Sequence, residues 1–205
     1  MTAIAPLAFW FVVVLSGCAA LQSAGDVNHG RQAFLIGNNE AALSFFQSAA
    51  QRDPNYMYGT DLRQGIWSYV GRSEYAVGRL PQARQTLERA LAMNKDEDIA
   101  RLYLGMTLAR DGERQRGLKE IEGGMRGMRN WLEDIARTQP FSVGKYWDPK
   151  REIRFELQTN LAMISGASVD WEKLIANGEW IGKTMEAEID RARRDEMYEI
   201  SRRPD

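Results

Sequence analysis

A repeated spacing of small and large residues runs through the first two thirds of the chain and constrains its fold more than any other feature. In each copy a glycine is followed by a small residue, a large apolar residue and a second small residue. The three copies read Gly30, Ala42, Phe46, Ala49; Gly71, Ala83, Leu87, Ala90; and Gly105, Gly117, Ile121, Gly124. A repeat at this spacing with helical periodicity predicts stacked helical hairpins.

The spacing has a steric cause, because small residues let two helices approach closely and a large apolar residue fills the space beside them. The last two copies begin 34 residues apart and the first two 41 apart, so about seven residues are inserted around 55–63. Turns are predicted at 37–39, 78–81 and 111–112, where Gly, Asn, Asp and Pro cluster. Pro81 suits the first turn of a helix.

The second copy carries a family resemblance. Trp67-x2-Val70-Gly71, followed by Ala83, Leu87 and Ala90, resembles the tetratricopeptide repeat, whose pattern is W-x2-L-G-x2-Y and then A, F, A and P. The resemblance implies an all-α, tetratricopeptide-like α-hairpin solenoid over 25–130, with copies at about 23–56, 64–97 and 98–131. The chain departs from the pattern at His29, Glu74 and Arg101, and Lys95 and Arg129 stand where the final Pro belongs. The alternative is a helical-hairpin stack of another solenoid type.

The last third, 131–205, lacks the repeat. Residues 138–150 are predicted to form a loop that carries Phe141, Tyr146 and Trp147 and either packs on the solenoid or meets a partner. Apolar stripes predict helices over 151–164 and from about 170 towards 203. These helices are expected to cap the exposed end of the stack. The alternative is partner binding through Trp147, Trp171 and Trp180.

The N-terminus predicts an anchor. An apolar run at residues 7–15 precedes Leu15-Ser16-Gly17-Cys18, which resembles the lipobox of bacterial lipoproteins. The resemblance implies a signal peptide over 1–17, acylation of Cys18, a tether over 18–24 and a Gram-negative envelope. Ala19 after the cysteine favours the outer membrane. The alternatives are a buried thiol in an uncleaved anchor helix and an unmodified residue in a disordered leader.

Composition argues against several functions. The chain has 27 basic and 28 acidic side chains, which gives no basic stripe for nucleic acid and no polybasic membrane patch. His29 is the single histidine and is expected on a helix surface or against the first turn of the array. No cofactor, metal site or catalytic residue is predicted. The mixed charges of 113–116 and 186–195 are interpreted as solvated helix faces with i,i+4 pairing.

The tetratricopeptide resemblance also implies a concave groove lined by the first helix of each hairpin. Its ligand-facing positions correspond here to Arg31, Phe34, Arg72, Tyr75, Met106 and Arg110. Arginine and aromatic side chains suit an extended peptide, because a guanidinium binds carboxylates and rings supply contact area. Phe34 and Tyr75 are equally well interpreted as core residues.

We therefore expect a membrane-anchored, periplasm-facing adaptor that binds a protein partner in an envelope assembly and is not an enzyme. The alternative is a permanent structural subunit of a large membrane or redox complex, bound through the C-terminal helices. A glycan hydrolase that uses two carboxylates is a third hypothesis, but no carboxylate pair stands out.

Overall fold

The computed structural model describes residues 21–202, and this part of the chain is almost entirely α-helical. Eight α-helices occur among the described residues. They are α1 (21–35), α2 (Asn39–Arg52), α3 (Ile66–Ala76), α4 (Leu80–Met93), α5 (Asp98–Arg110), α6 (Arg114–Thr138), α7 (Glu152–Ile164) and α8 (Trp171–Ser201). The all-α hairpin architecture predicted from the repeat is confirmed.

The first six helices form three hairpins, α1–α2, α3–α4 and α5–α6, which stack in chain order. In each hairpin the glycine of the first helix lies against the large residue of the second. A Cβ on Gly30 would lie 2.6 Å from the Phe46 ring, and one on Gly71 would lie 2.6 Å from Leu87 Cγ. One on Gly105 would lie 2.5 Å from the backbone nitrogen of Ile121. The predicted pairing of small and large residues is therefore present in all three hairpins.

The turn between the two helices of each hairpin uses a glycine in the left-handed region. Gly37, Gly78 and Gly112 have φ angles of 85°, 79° and 93°. A side chain is strained in this conformation, so glycine ends the first helix in the same way each time. Pro81 lies in the first turn of α4, as predicted.

The inserted residues between the first two hairpins form a short antiparallel ribbon of β1 (Met57–Tyr58) and β2 (Gln64–Gly65). Met57 pairs with Gly65 and Tyr58 pairs with Gln64. The ribbon leads directly into α3, which begins at Ile66. It fills the position where the spacing predicts an insertion.

Two boundaries differ from the sequence prediction. Helix α6 continues to Thr138 without a break at 131, because Met128, Leu132 and Ile135 extend its buried face. Its glycines do not interrupt it, since Gly117 and Gly124 pack closely against the backbone of α5. The tether predicted over 18–24 is already helical from residue 21, and its first residues lie outside the described part of the chain.

The last third closes the stack. A 3-10 turn at Val143–Tyr146 leads to α7, which packs on α6 and covers the final hairpin. Helix α8 is capped by Asp170, which accepts a hydrogen bond from the Lys173 amide at 3.1 Å, and then crosses the first helices of the hairpins. Capping of the final hairpin by α7 is confirmed, whereas α8 lies across the concave face and not over the end of the stack. Within residues 21–202, no helix has the length and apolar character needed to cross a membrane.

Candidate functional site

The concave face of the hairpin stack is filled by the chain's own helix α8. Gly178, Gly182, Glu186 and Asp190 are spaced four residues apart and therefore follow one side of α8. A Cβ on Gly178 would lie 2.6 Å from Met106 Sδ, and one on Gly182 would lie 2.5 Å from the Tyr103 ring. The two glycines let α8 lie directly on α5.

Further along α8, Glu186 is fully buried and lies between the first two hairpins. Its carboxylate accepts hydrogen bonds from Arg72 Nη1 at 2.9 Å and from the Tyr69 hydroxyl at 3.2 Å, both on α3. It also forms an ion pair with Arg31 of α1. Gln64 Nε2, from the inserted ribbon, donates at 3.3 Å. The sequence interpretation of Glu186 as part of a solvated face is therefore wrong.

The ribbon also supports Arg31 from the other side. Arg31 Nη1 donates to the Tyr58 hydroxyl at 2.5 Å and to Asp190 Oδ1 at 2.9 Å. The Arg31 guanidinium lies 4.1 Å from the centroid of the Tyr58 ring. Thus two carboxylates of α8 and the inserted ribbon together enclose one arginine of α1.

The charges in this cluster stabilise one another. Burial by itself would raise the pKa of Glu186, but the neighbouring charges of Arg72 and Arg31 hold that pKa below its ordinary value. The pKa of Arg31 is raised, because Glu186 opposes the effect of burial. A buried ion pair adds little net stability over an apolar contact, but breaking one is costly. Glu186 therefore fixes the register of α8 in the groove.

Arg72 is 1% exposed and lies among aromatic rings. Its guanidinium carbon is 5.0 Å from the Phe34 centroid, 5.2 Å from that of Tyr69 and 5.3 Å from that of Tyr103. Its Nε and Nη2 have no acceptor among the described residues. The rings supply part of the stabilisation that these nitrogens lack.

The structure gathers the six groove residues named from the sequence on one face but leaves only one of them exposed. Five are buried in the interface with α8 or in the core beside it, namely Arg31, Phe34, Arg72, Tyr75 and Met106. Arg110 remains 46% exposed and lies 3.7 Å from Glu179 of α8. The predicted groove exists, but α8 occupies most of it.

The tryptophans named from the C-terminal third have three different environments. Trp147 is 3% exposed and packs edge-on against Trp131, with the ring centroids 4.7 Å apart. Trp171 is half-buried, and Trp180 is 42% exposed on the side of α8 away from Gly178 and Gly182. The loop at 138–150 thus packs through Trp147, whereas its Phe141 is 87% exposed.

An open trough remains beside the N-terminal half of α8. We use the name trough for two adjoining cavities of about 520 and 300 Å³ that share Arg110 and Glu179. The Arg110 guanidinium lies 4.9 Å from the Tyr75 centroid, and Arg114 lies 5.5 Å from that of Trp171. Phe34 and Lys183 also line it. The trough is the accessible remainder of the predicted groove.

Tyr75 ties the trough to α8, because its hydroxyl donates to Glu179 Oε1 at 2.6 Å. Burial raises the pKa of Tyr75, and Glu179 raises it further, so the phenol stays protonated and acts as a donor. Of the residues that line the trough, Tyr75, Phe34, Arg110 and Trp171 were predicted from the sequence, whereas Glu179, Arg114 and Lys183 were not. Arg114 and Lys183 carried no signal beyond a charged helix surface.

The buried cluster around Glu186 is closed to solvent. Glu186 is enclosed by donors on both oxygens and is inaccessible to a substrate. The described residues contain no group of three or more His, Cys, Asp or Glu side chains that could hold a metal ion. His29 lies exposed on α1 beside Phe45, with the ring centroids 5.4 Å apart. Cys18 lies outside the described residues.

These features define a class of protein, a helical-hairpin repeat whose concave face holds its own C-terminal helix. Comparisons with protein-family models, curated protein sequences and solved structures find no match.

Proposed function

We propose that this chain is a membrane-anchored, periplasm-facing adaptor and that it binds a segment of a protein partner in the trough. The observation that carries this proposal is the pairing of two arginines with two aromatic rings along one open trough. Arg110 lies over Tyr75, and Arg114 lies over Trp171. Rings hold guanidinium groups in place and leave their N–H edges free for a ligand.

The trough suits an extended acidic segment. Arg110 is 46% exposed, and its distance of 3.7 Å from Glu179 is longer than a direct hydrogen bond. Arg110 is therefore only weakly paired with α8, and its guanidinium is available to bind a carboxylate of the partner. Arg114 and Lys183 are both exposed, and with Arg110 the basic residues that line the trough outnumber the acidic Glu172 and Glu179 by three to two. The half-buried ring of Trp171 provides apolar contact for neighbouring side chains of the partner.

The anchoring part of the proposal depends on sequence alone. The lipobox-like Leu15-Ser16-Gly17-Cys18 supports acylation of Cys18, and Ala19 after it supports an outer-membrane position facing the periplasm. Two or more acyl chains hold a protein stably at a bilayer. The hairpin stack, with its 34-residue spacing between the second and third copies, supports membership of the tetratricopeptide class, many members of which bind proteins.

A second candidate function is favoured by the position of α8. Because α8 fills the groove, the stack is a closed unit, and Trp180 faces away from it with 42% of its surface exposed. This arrangement suits a permanent subunit of a larger membrane complex that is held through the outer face of α8. The two candidates place the partner on different sides of one helix.

Site-specific photo-crosslinking in cells separates them. A photoreactive amino acid replaces Ala176, which lines the trough, or Ala187, which is exposed further along α8 and does not line it. The adaptor predicts one protein crosslinked from position 176, with loss of that product in Arg110→Glu. The matched control is Arg126→Glu, an exposed arginine paired with Glu122 on α6. Crosslinks from 187 alone, unaffected by Arg110→Glu, support the permanent subunit and exclude the trough.

A further inference from the structure

A second, smaller cavity lies at the opposite ends of α3 and α5 from the trough. It is bounded by the chain before α3, the start of α5 and the end of α4, and its volume is about 100 Å³. Its walls are mostly apolar and include Tyr56, Met57, Trp67 and Met93. Glu97 is the one charged residue among the described residues that line it.

Glu97 is a buried carboxylate that forms no ion pair with another residue of the described part of the chain. The residue is 5% exposed, and its Oε2 has no hydrogen-bond donor among the described residues. Burial raises the pKa of Glu97, and the Gly65 amide, the Ser68 hydroxyl, the Asn94 side chain and the charge of Arg72 counteract this only in part. Arg72 forms its ion pair with Glu186, at 2.9 Å. Buried charges in proteins are usually paired, so this carboxylate is an exception that calls for a ligand.

The apolar and aromatic walls of the cavity suit the uncharged part of a cationic ligand. Trp67 is held in place because its Nε1 donates to the Pro54 carbonyl at 2.8 Å. Arg89 already lies over the Trp67 ring, 3.5 Å from its centroid, so this ring accepts cations. Met93 is 51% exposed and forms part of the cavity wall next to solvent.

We propose that this cavity binds a lysine side chain of a protein partner, with the ammonium paired to Glu97 and the methylenes against Trp67 and Met57. A cavity needs a volume of about 10–15 Å³ to hold one water molecule. The volume of this cavity is about 100 Å³, which leaves room for an alkylammonium chain. Lysine fits better than arginine because its head group is compact and its stem is apolar. The site shares no residue with the trough and does not depend on it.

The probe is Nα-acetyl-lysine N-methylamide, titrated into the full chain and compared with the norleucine analogue, which has the same stem without the charge. Binding is followed by NMR through the indole N–H resonance of Trp67, assigned with Trp67→Phe. We expect a saturable shift with the lysine amide and at least tenfold weaker binding of the norleucine amide. Equal binding of the two amides, or binding of neither, would overturn the proposal.

Two variants test the pairing itself. Glu97→Gln keeps the shape and hydrogen-bonding capacity but removes the charge, and it should abolish the preference for lysine. Glu88→Gln, on α4 and away from the cavity, is the control and should retain that preference. Met93→Trp should block access while Glu97 stays intact, which keeps the test valid if Glu97→Gln folds poorly. A lysine preference that persists in both Glu97→Gln and Met93→Trp places the ligand elsewhere and rejects the site.

Discussion

Arg72 of α3 and Glu186 of α8 are 114 residues apart in sequence, yet Arg72 Nη1 lies 2.9 Å from Glu186 Oε2 inside the protein. Their side chains are 1% and 0% exposed. This contact joins the C-terminal helix to the repeats, because Arg31 and Gln64 meet the same carboxylate. Removing the carboxylate leaves two buried guanidinium groups without their main acceptor.

Glu186→Gln should therefore lower the free energy of unfolding by about 3 kcal/mol, the usual cost of breaking a buried ion pair from one side. Urea denaturation followed by circular dichroism measures the change. Glu122→Gln is the matched control, because Glu122 pairs with Arg126 on an exposed helix surface. That control should cost less than about 1 kcal/mol. Equal effects of the two variants would show that the cluster does not hold α8.

The same carboxylate predicts a dependence of stability on pH. The pKa of Glu186 is lowered in the folded state from its ordinary value of 4.5. Its ionised form thus contributes stability above pH 4.5, and that contribution is lost as the pH falls towards the folded-state pKa. The difference in unfolding free energy between wild type and Glu186→Gln should be constant from pH 7 to pH 5 and shrink below pH 4.5. A difference that stays constant down to pH 3 would contradict this assignment.

The repeat could be predicted from sequence because its signal is local and recurs. The contacts of Gly30 with Phe46 and of Gly71 with Leu87 follow from spacing and side-chain size alone. The position of α8 could not be predicted in this way, because it depends on contacts between residues more than 100 positions apart. A single apolar stripe on a helix shows that one face of the helix is buried, but it does not show which element covers that face.

The burial of Glu186 could have been predicted from its position on α8, but the charged residues around it suggested an exposed surface. Glu186 follows Gly178 and Gly182 at the same four-residue spacing, within the apolar stripe of α8. Its neighbours Glu188, Asp190 and Arg191 make the segment look like an ordinary charged surface. Arg31 and Arg72, predicted to bind a partner, lie buried beneath α8, and the carboxylate within its otherwise apolar stripe is the group they contact.

Asp98 offers an independent prediction at the start of α5. Burial raises its pKa from 3.8 to about 6, because the charge of Arg101 compensates only in part. A carboxyl group with a raised pKa in the folded state lowers stability above that pKa and ceases to do so as the pH falls below it. Asp98→Asn should therefore stabilise the protein by about 1 kcal/mol at pH 8 and have a smaller effect at pH 4. Thermal unfolding at the two pH values measures this, and equal stabilisation at both would contradict it.

Acylation of Cys18 is tested by metabolic labelling with an alkyne analogue of palmitate. The wild-type chain should carry the label and sediment with membranes, because multiple acyl chains anchor a protein stably. Cys18→Ser should lose the label and retain its leader, since the lipobox resemblance implies that cleavage follows acylation. Ser16→Ala, which changes a neighbouring position and keeps the cysteine, is the control. Labelling of Cys18→Ser would show that the acyl chain is attached elsewhere.

The glycines of α8 are predicted to be essential for its close packing in the groove. Replacing a glycine inside a helix with alanine ordinarily adds up to about 1 kcal/mol of stability. At Gly182 the new Cβ would lie 2.5 Å from the ring of Tyr103, which is itself buried in the core. Because the ring cannot move aside freely, Gly182→Ala should destabilise the protein by about 1–3 kcal/mol. Gly25→Ala in α1 is the control, since a Cβ there has no neighbour within 4 Å and should stabilise. Stabilisation by both substitutions, measured by urea denaturation, would mean that α8 does not pack against α5 as described.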